Sequence, residues 1–307
     1  MKKIAIIDIG TNTFNLLIAS INEDRTYQIS HTGKLSVKMG EGGINQKIIA
    51  PFAYQRGLFA IGEHIKTIQQ HGTSIIFAFA TSAVRNAENG KAFVDDIKSL
   101  YDINVKVIGG DEEAELIYFG IRQAIELDNE NVLMLDIGGG SNEIIIGNRH
   151  ECIWRKSYDL GISRLLERFN PSDPIELDEI TIVEQYLDAQ LTDLSEVISR
   201  YKPKILIGSS GSFDTYRSIL SEQLNIGSNG SPSIEIPLDK YLNLHKKLVS
   251  TTKQERSLIP GMDPMRVDMI VLATIFTHFL VMRFGLSRML QSSYSLKEGA
   301  IWQIINR

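Results

Sequence analysis

The chain has 307 residues, a hydrophobic content of 43% and a formal net charge of -5, which suits about two domains of roughly 150 residues, each with a buried core. That charge gives no global pull towards nucleic acid or an anionic membrane, so neither is an expected partner, and a polyanion would have to be held in a local basic cleft. Cys152 is the only cysteine. An internal disulfide is excluded and a reducing, cytoplasmic setting is expected.

No apolar run approaches the ~20 residues of a membrane span, and Met1-Lys2-Lys3 leads directly into a short strand. The histidines lack zinc-type spacing, so a histidine-built metal site is not expected. Residues 4–9 and 14–20 form a predicted hairpin, with a third strand near 27–35. Leu58, Ile61, Ile65 and Ile68 recur at helical spacing. Residues 74–80 make a buried-strand run that exits into the polar stretch from Thr81 to Ala87. Arg85 at that exit suits either a phosphate contact or a surface salt bridge. After a helix near 91–100 and a strand at 105–108, Asp111 reads as the N-cap of a helix carrying Glu112, Glu113 and Glu115. Acidic residues there are ordinary partners of the helix dipole, and function is the alternative.

The segment from Val132 to Ile146 reads as strand, glycine-rich turn and strand, edged by Asp136 and Glu143. It is a repeat. Laid without a gap on Ile4 to Ile18, it puts Asp8 on Asp136, Gly10 on Gly138, Thr13 on Ser141 and Asn15 on Glu143. Residues 151–157 supply its third strand. A helix with Leu165, Leu166 and Phe169 follows, then one long amphipathic pattern over 175–201 ended by Pro203. A strand at 204–207 enters the small-residue turn Gly208, Ser209, Ser210, Gly211 and Ser212, which suits a phosphate or nucleoside. Residues 225–233 read as a surface loop. Helices near 239–249 and 264–284, a strand at 288–291 and a last helix from Leu296 complete the chain.

Two such turns facing each other across a cleft can grip a phosphate chain through backbone N–H groups, while Asp8, Asp136 and Glu143 offer hard oxygens to Mg²⁺. Because Asn15 stands where the second turn has Glu143, the metal is expected nearer the second lobe. Hydrolysis further needs a group to orient water and a positive charge; Glu113 and Arg85 are the candidates.

These motifs, with Asp8 to Asn15, Thr81 to Arg85, Gly110 to Tyr118, Asp136 to Glu143, Gly208 to Ser212 and Leu296 to Gly299, resemble the Ppx/GppA phosphatases of the sugar kinase, Hsp70 and actin superfamily. The resemblance implies an α/β chain of two ribonuclease H-like (actin-like) lobes with mixed sheets and the active site in the interdomain cleft. It implies lobes of residues 1–125 plus 297–307 and 126–296. It also implies Glu113 as catalytic base, Arg85 as terminal-phosphate ligand, Gly10, Thr11, Asn12 and Thr13 as the first phosphate turn, and Gly138, Gly139, Gly140 and Ser141 as the second. Ser210, Gly211 and Ser212 complete the phosphate contacts. Asp136, Glu143 and Asp8 are the implied ligands of Mg²⁺, with Mn²⁺ as the alternative. The expected activity is exopolyphosphatase, with guanosine pentaphosphate 5'-phosphohydrolase as the alternative substrate reading. Homodimers are common among such folds and one is an expected assembly. A kinase of the same superfamily and a non-catalytic alarmone-binding regulator are the rivals. The Glu-Glu-Ala helix argues against the first, and the presence of Glu113 with Arg85 against the second.

Overall fold

A computed structural model describes residues 2–224 and 230–306. The apolar runs build two mixed sheets. In the first, β1 (Lys2–Ile9), β2 (Thr13–Ile21), β3 (Tyr27–Ser36), β4 (Ile75–Ala80) and β5 (Val105–Val107) lie in the order β3-β2-β1-β4-β5. The three leading strands are antiparallel, and β4 and β5 join in parallel. The helices of this part are α1 (Pro51–Gln70), α2 (Ser82–Arg85), α3 (Gly90–Tyr101) and α4 (Gly110–Ala124).

The second sheet uses β6 (Val132–Ile137), β7 (Asn142–Gly147), β8 (Cys152–Tyr158), β9 (Ile205–Ser209), β10 (Ser233–Ile236) and β11 (Arg288–Ser292), in the order β10-β11-β9-β6-β7-β8. Again three antiparallel strands lead and parallel strands follow, with β10 added antiparallel at one edge. Its helices are α5 (Ile162–Phe169), α6 (Leu177–Gln190), α7 (Thr192–Tyr201), α8 (Ser210–Leu224), α9 (Leu238–Ser250), α10 (Lys253–Ser257) and α11 (Ile270–Phe284), and α12 (Leu296–Asn306) ends the chain. Strands β6 and β7 are buried at every position, which is why they read as unbroken apolar runs, whereas edge strand β3 alternates. Among the described residues no helix is both long and apolar enough to cross a membrane.

Several details differ from the sequence reading. The pattern over 175–201 is two helices, broken at Leu191; their apolar stripes stay in phase, so periodicity alone cannot see the break. Helix α11 starts at Ile270, not near 264, because Arg266 to Met269 form turns first. The N-cap of α4 is Gly109, and Asp111 lies inside the first turn without capping it. Of the predicted loop 225–233, residues 225–229 lie outside the described residues, and Ser233 already belongs to β10.

Three apolar clusters hold these layers. One packs α1 and α3 on the first sheet through Ile61, Phe93 and Ile97. Another packs α5 to α9 and α11 on the second sheet through Leu165, Tyr241 and Phe276. The third joins both sheets through α4 and α12: Ile4, Ile6 and Leu17 from the first sheet meet Met134, Ile145 and Ile207 from the second around Leu116, Ile117, Ala300 and Ile301. The α4–α12 crossing is close because both helices place glycine there. A Cβ on Gly299 would lie 1.7 Å from the Leu116 carbonyl oxygen, and one on Gly120 would lie 1.9 Å from the Ser295 carbonyl oxygen.

Gly299→Ala should therefore force the helices apart and cost about 1–3 kcal/mol in unfolding free energy, measured by denaturant titration. Gly109→Ala is the comparison: its φ of -70 suits any residue, nothing lies within 4 Å of an added Cβ, and only the N-cap preference for glycine is lost, at a cost below about 1 kcal/mol.

Candidate functional site

The two hairpins repeat in geometry as they do in sequence. Asp8 pairs with Asn15 and Asp136 with Glu143 at equivalent registers. Each turn is closed by the same bond, from Gly10 N to the Thr13 carbonyl at 3.2 Å and from Gly138 N to the Ser141 carbonyl at 3.1 Å. Behind each turn, neighbouring amides occupy its carbonyls. Val37 and Lys38 N–H donate to the Asn12 carbonyl, while Ile162 and Ser163 N–H donate to those of Gly138 and Gly139. With the carbonyls engaged from behind, the front of each turn presents amides, which is an anion-binding arrangement.

The turns face one another. A Cβ on Gly139 would fall 2.4 Å from Asn12 Nδ2, and one on Gly140 would fall 2.6 Å from Thr11 Oγ1, so glycine is needed there for the two sheets to approach. Polar contacts bridge the two sides: Ser163 Oγ donates to Asn12 Oδ1 at 2.8 Å, Asn86 Nδ2 to Asp159 Oδ1 at 2.9 Å, and Arg164 Nη1 to the Ile44 carbonyl at 2.8 Å. Between the sheets lies a cavity of about 140 Å³. Gly10 to Thr13, Gly138 to Ser141, Asp8, Asp136, Glu143, Glu113, Ser210 and Gly211 all line it. Ser212 does not; it is buried in the first turn of α8. The N-termini of α4, α8 and α12 converge on the cavity, and their aligned peptide dipoles favour negative charge there.

Glu113, in the first turn of α4, lies buried in the cavity lining. It accepts from Arg85 Nη1 at 2.8 Å, and the same nitrogen donates to the Ile108 carbonyl at 2.9 Å. Arg85 thus pairs with Glu113 inside the protein, not in the surface salt bridge of the alternative reading, and it is not itself among the residues that line the cavity. Burial pushes the Glu113 carboxyl well above the usual carboxylate range, the Glu143 charge adds to that, and Arg85 opposes it through its charge and its hydrogen bond. Glu143 is raised to about 7 by burial and by Asp136. Asp8 is also raised, by burial, against the opposing Lys297 ammonium and the Asn15 hydrogen bond.

Asp136 is held by hydroxyls. Ser209 Oγ and Ser210 Oγ donate to it at 2.7 Å, and Ser295 Oγ is a third donor. Ser210 reaches it from a backbone φ of 70, a left-handed conformation that costs a non-glycine residue about 1–3 kcal/mol. Among the described residues no three acidic, histidine or cysteine side chains gather closely enough to hold an ion by themselves. The donor set still suits Mg²⁺, which commonly takes one or two carboxylates plus phosphate oxygens and water. Asp136 and Glu143 stand opposite each other on adjacent strands, and their repulsion is what a cation would relieve.

Four charged residues without a role in the sequence reading also line the cavity: Lys34, Asp214, Arg266 and Lys297. Lys34 pairs with Asp263 at 3.1 Å. Arg266 is buried against Gly211, whose missing side chain makes room for the guanidinium, and its Nε has no hydrogen-bond partner among the described residues. They come from four distant segments, so no local spacing could group them. The one hint was Lys297, a basic residue at a helix start, where the dipole disfavours it.

A family model for the Ppx/GppA phosphatase family matches residues 17–307. A protein named Exopolyphosphatase 2 from Mycobacterium tuberculosis is 25% identical over 312 aligned positions, covering 97% of each chain. The crystal structure of an exopolyphosphatase from Cytophaga hutchinsonii superposes with a TM-score of 0.95 at 36% identity, covering 99% of this chain and 98% of that one. A Ppx/GppA family member from Aquifex aeolicus shares the fold, with a TM-score of 0.81 at 20% identity over 99% and 98% of the two chains.

The raised Glu143 makes a prediction about stability. The folded protein keeps that proton up to about pH 7, whereas the unfolded chain releases it near the ordinary value of 4.5. Between those values the folded state binds more protons, so stability should fall as pH rises through the window. Urea unfolding in metal-free, phosphate-free buffer should show the decline, and Glu143→Gln should make it shallower, leaving the part due to Glu113 and Asp8. An equal slope in both proteins would contradict the assignment.

Proposed function

The chain belongs to the Ppx/GppA phosphatase family, and from that premise we propose that its cleft hydrolyses the terminal phosphoanhydride of inorganic polyphosphate and releases orthophosphate. The observation that carries this reading is Glu113, buried in the lining of a cavity walled by two amide-presenting turns and paired with Arg85 behind it. The names of the related proteins from Mycobacterium tuberculosis and Cytophaga hutchinsonii support the same substrate class.

In this account the terminal phosphoryl group sits between the amides of Gly10 to Thr13 and those of Gly138 to Ser141. Glu113 takes a proton from water, the water oxygen bonds to the terminal phosphorus in line, and the bridging P–O bond breaks, leaving the shortened chain with the electron pair. A raised carboxyl pKa makes Glu113 a stronger base than an ordinary glutamate. Arg85 holds that carboxylate, and its charge offsets the negative charge gathering there. Asp136 and Glu143, with Asp8 across the cleft, would hold Mg²⁺ or Mn²⁺, which supplies charge neutralisation at phosphoryl oxygens when bound. The described lining supports an inorganic chain over a nucleotide. The apolar lining is aliphatic, from Ile117, Ile137 and Leu296, and gives a base no aromatic face on which to stack.

Phosphate release should be measured side by side on polyphosphates of several lengths and on guanosine pentaphosphate. Release from polyphosphate at the higher kcat/KM, abolished by a chelator and restored by Mg²⁺, is the expected result. Faster release from guanosine pentaphosphate would replace the substrate assignment, and no release from either would overturn the reading.

A further inference from the structure

Lys297 opens α12 and lines the cavity, where it is half-buried. The carboxylates around its ammonium are those of Glu298, Asp8, Asp214 and Asp136, and among the described residues it forms no hydrogen bond and no ion pair within 4 Å. Each of those carboxylates is already held by something else: Asp8 by Asn15, Asp214 by Gln291, Asp136 by three serine hydroxyls and Glu298 by the Ser295 amide. The ammonium therefore keeps its three donors for whatever enters the cavity. An ammonium placed among acids yet bonded to none of them is what an anion subsite requires, because the acids hold the charge in place without consuming its hydrogen bonds.

Its position follows from the helix crossing. Gly299 lies against the Leu116 carbonyl and Gly120 against that of Ser295, so the start of α12 meets α4 about two turns beyond Glu113, or about 10 Å along the helix. Glu113 and Lys297 thus enter the cavity lining at separate places, Glu113 buried and Lys297 half-buried. In-line displacement puts the attacking water and the leaving oxygen on opposite sides of the phosphorus. With water at Glu113 and the terminal phosphorus between the turns, the leaving side is the side of Lys297.

We propose that Lys297 is a catalytic residue that binds the penultimate phosphate and neutralises the charge that develops on the leaving chain. This rests on the polyphosphate hydrolase reading above. The bond that breaks leaves its electron pair on an oxygen of the penultimate phosphate, and the ammonium stabilises that charge by hydrogen bonding while keeping its own protons. The role belongs to a group fixed in the fold. It is carried by the first turn of a helix whose seat on α4 is set by Gly120 and Gly299.

The test uses two anions that differ in reach. Orthophosphate fills the terminal position only, whereas inorganic tripolyphosphate also reaches the leaving side. In a Glu113→Gln background, which prevents turnover, calorimetric affinity for each is compared with and without Lys297→Met. The expected result is a loss of roughly 10- to 100-fold for tripolyphosphate, the size of a charge-assisted hydrogen bond, with orthophosphate changed less than about threefold. In the otherwise native enzyme, Lys297→Met should lower kcat on polyphosphate by roughly 100-fold and Lys297→Arg should recover part of it. Equal losses for the two anions, or no loss for tripolyphosphate, would overturn the assignment, as would a Lys297→Met enzyme with normal kcat. Wild-type protein that releases no phosphate would instead sink the hydrolase reading itself, so the two failures are distinguishable.

Discussion

The close crossing of α4 on α12 is the constraint on which the site depends. Both helices sit between the two sheets and contribute to the one apolar cluster that joins them, and both begin at the cavity. Glu113 lies in the first turn of α4 and Lys297 in the first turn of α12, so their separation is set by helix packing and not by loops. That packing tolerates no side chain at Gly120 or Gly299. A site carried on rigid elements places its groups more reproducibly than one carried on loops.

Burial of acids is the electrostatic counterpart of that geometry. Asp8, Glu113, Asp136 and Glu143 meet in a space of about 140 Å³, where the Asp136 charge disfavours ionisation of Glu143 and Asp8, and these in turn that of Glu113. Such an arrangement weakens the fold near neutral pH, and the protein's own Arg85, Arg266 and Lys297 offset it. Serine and asparagine donors hold the carboxylates in place, as Ser157 does for Glu143 at 2.6 Å. The fold therefore sets the charge balance of the cleft with both signs, hydrogen-bonded acids together with Arg85 behind Glu113 and Lys34, Arg266 and Lys297 in the lining.

Much of this was legible in the chain. The gapless match of Asp8 to Asn15 on Asp136 to Glu143 implied a duplication, and the matching registers and turn bonds are its structural form. Hairpins are local, so their geometry is written in contiguous residues. The division at Leu191, the late start of α11 and the edge strand β10 were not legible, because each is settled by tertiary packing that overrides a local pattern. Lys34, Arg266 and Lys297 were missed for a similar reason. They reach the cavity from β3, from the turns before α11 and from the start of α12, and only the folded chain brings them together.

The central claim is that Glu113 activates water for attack on a phosphoryl group held by the two turns. Its most direct test is a single-turnover measurement on Glu113→Gln with polyphosphate, in which binding and phosphate release are followed separately. The account predicts binding close to that of the wild-type enzyme, with release slowed by roughly 100- to 10,000-fold. Release at a near-normal rate in that variant would contradict it.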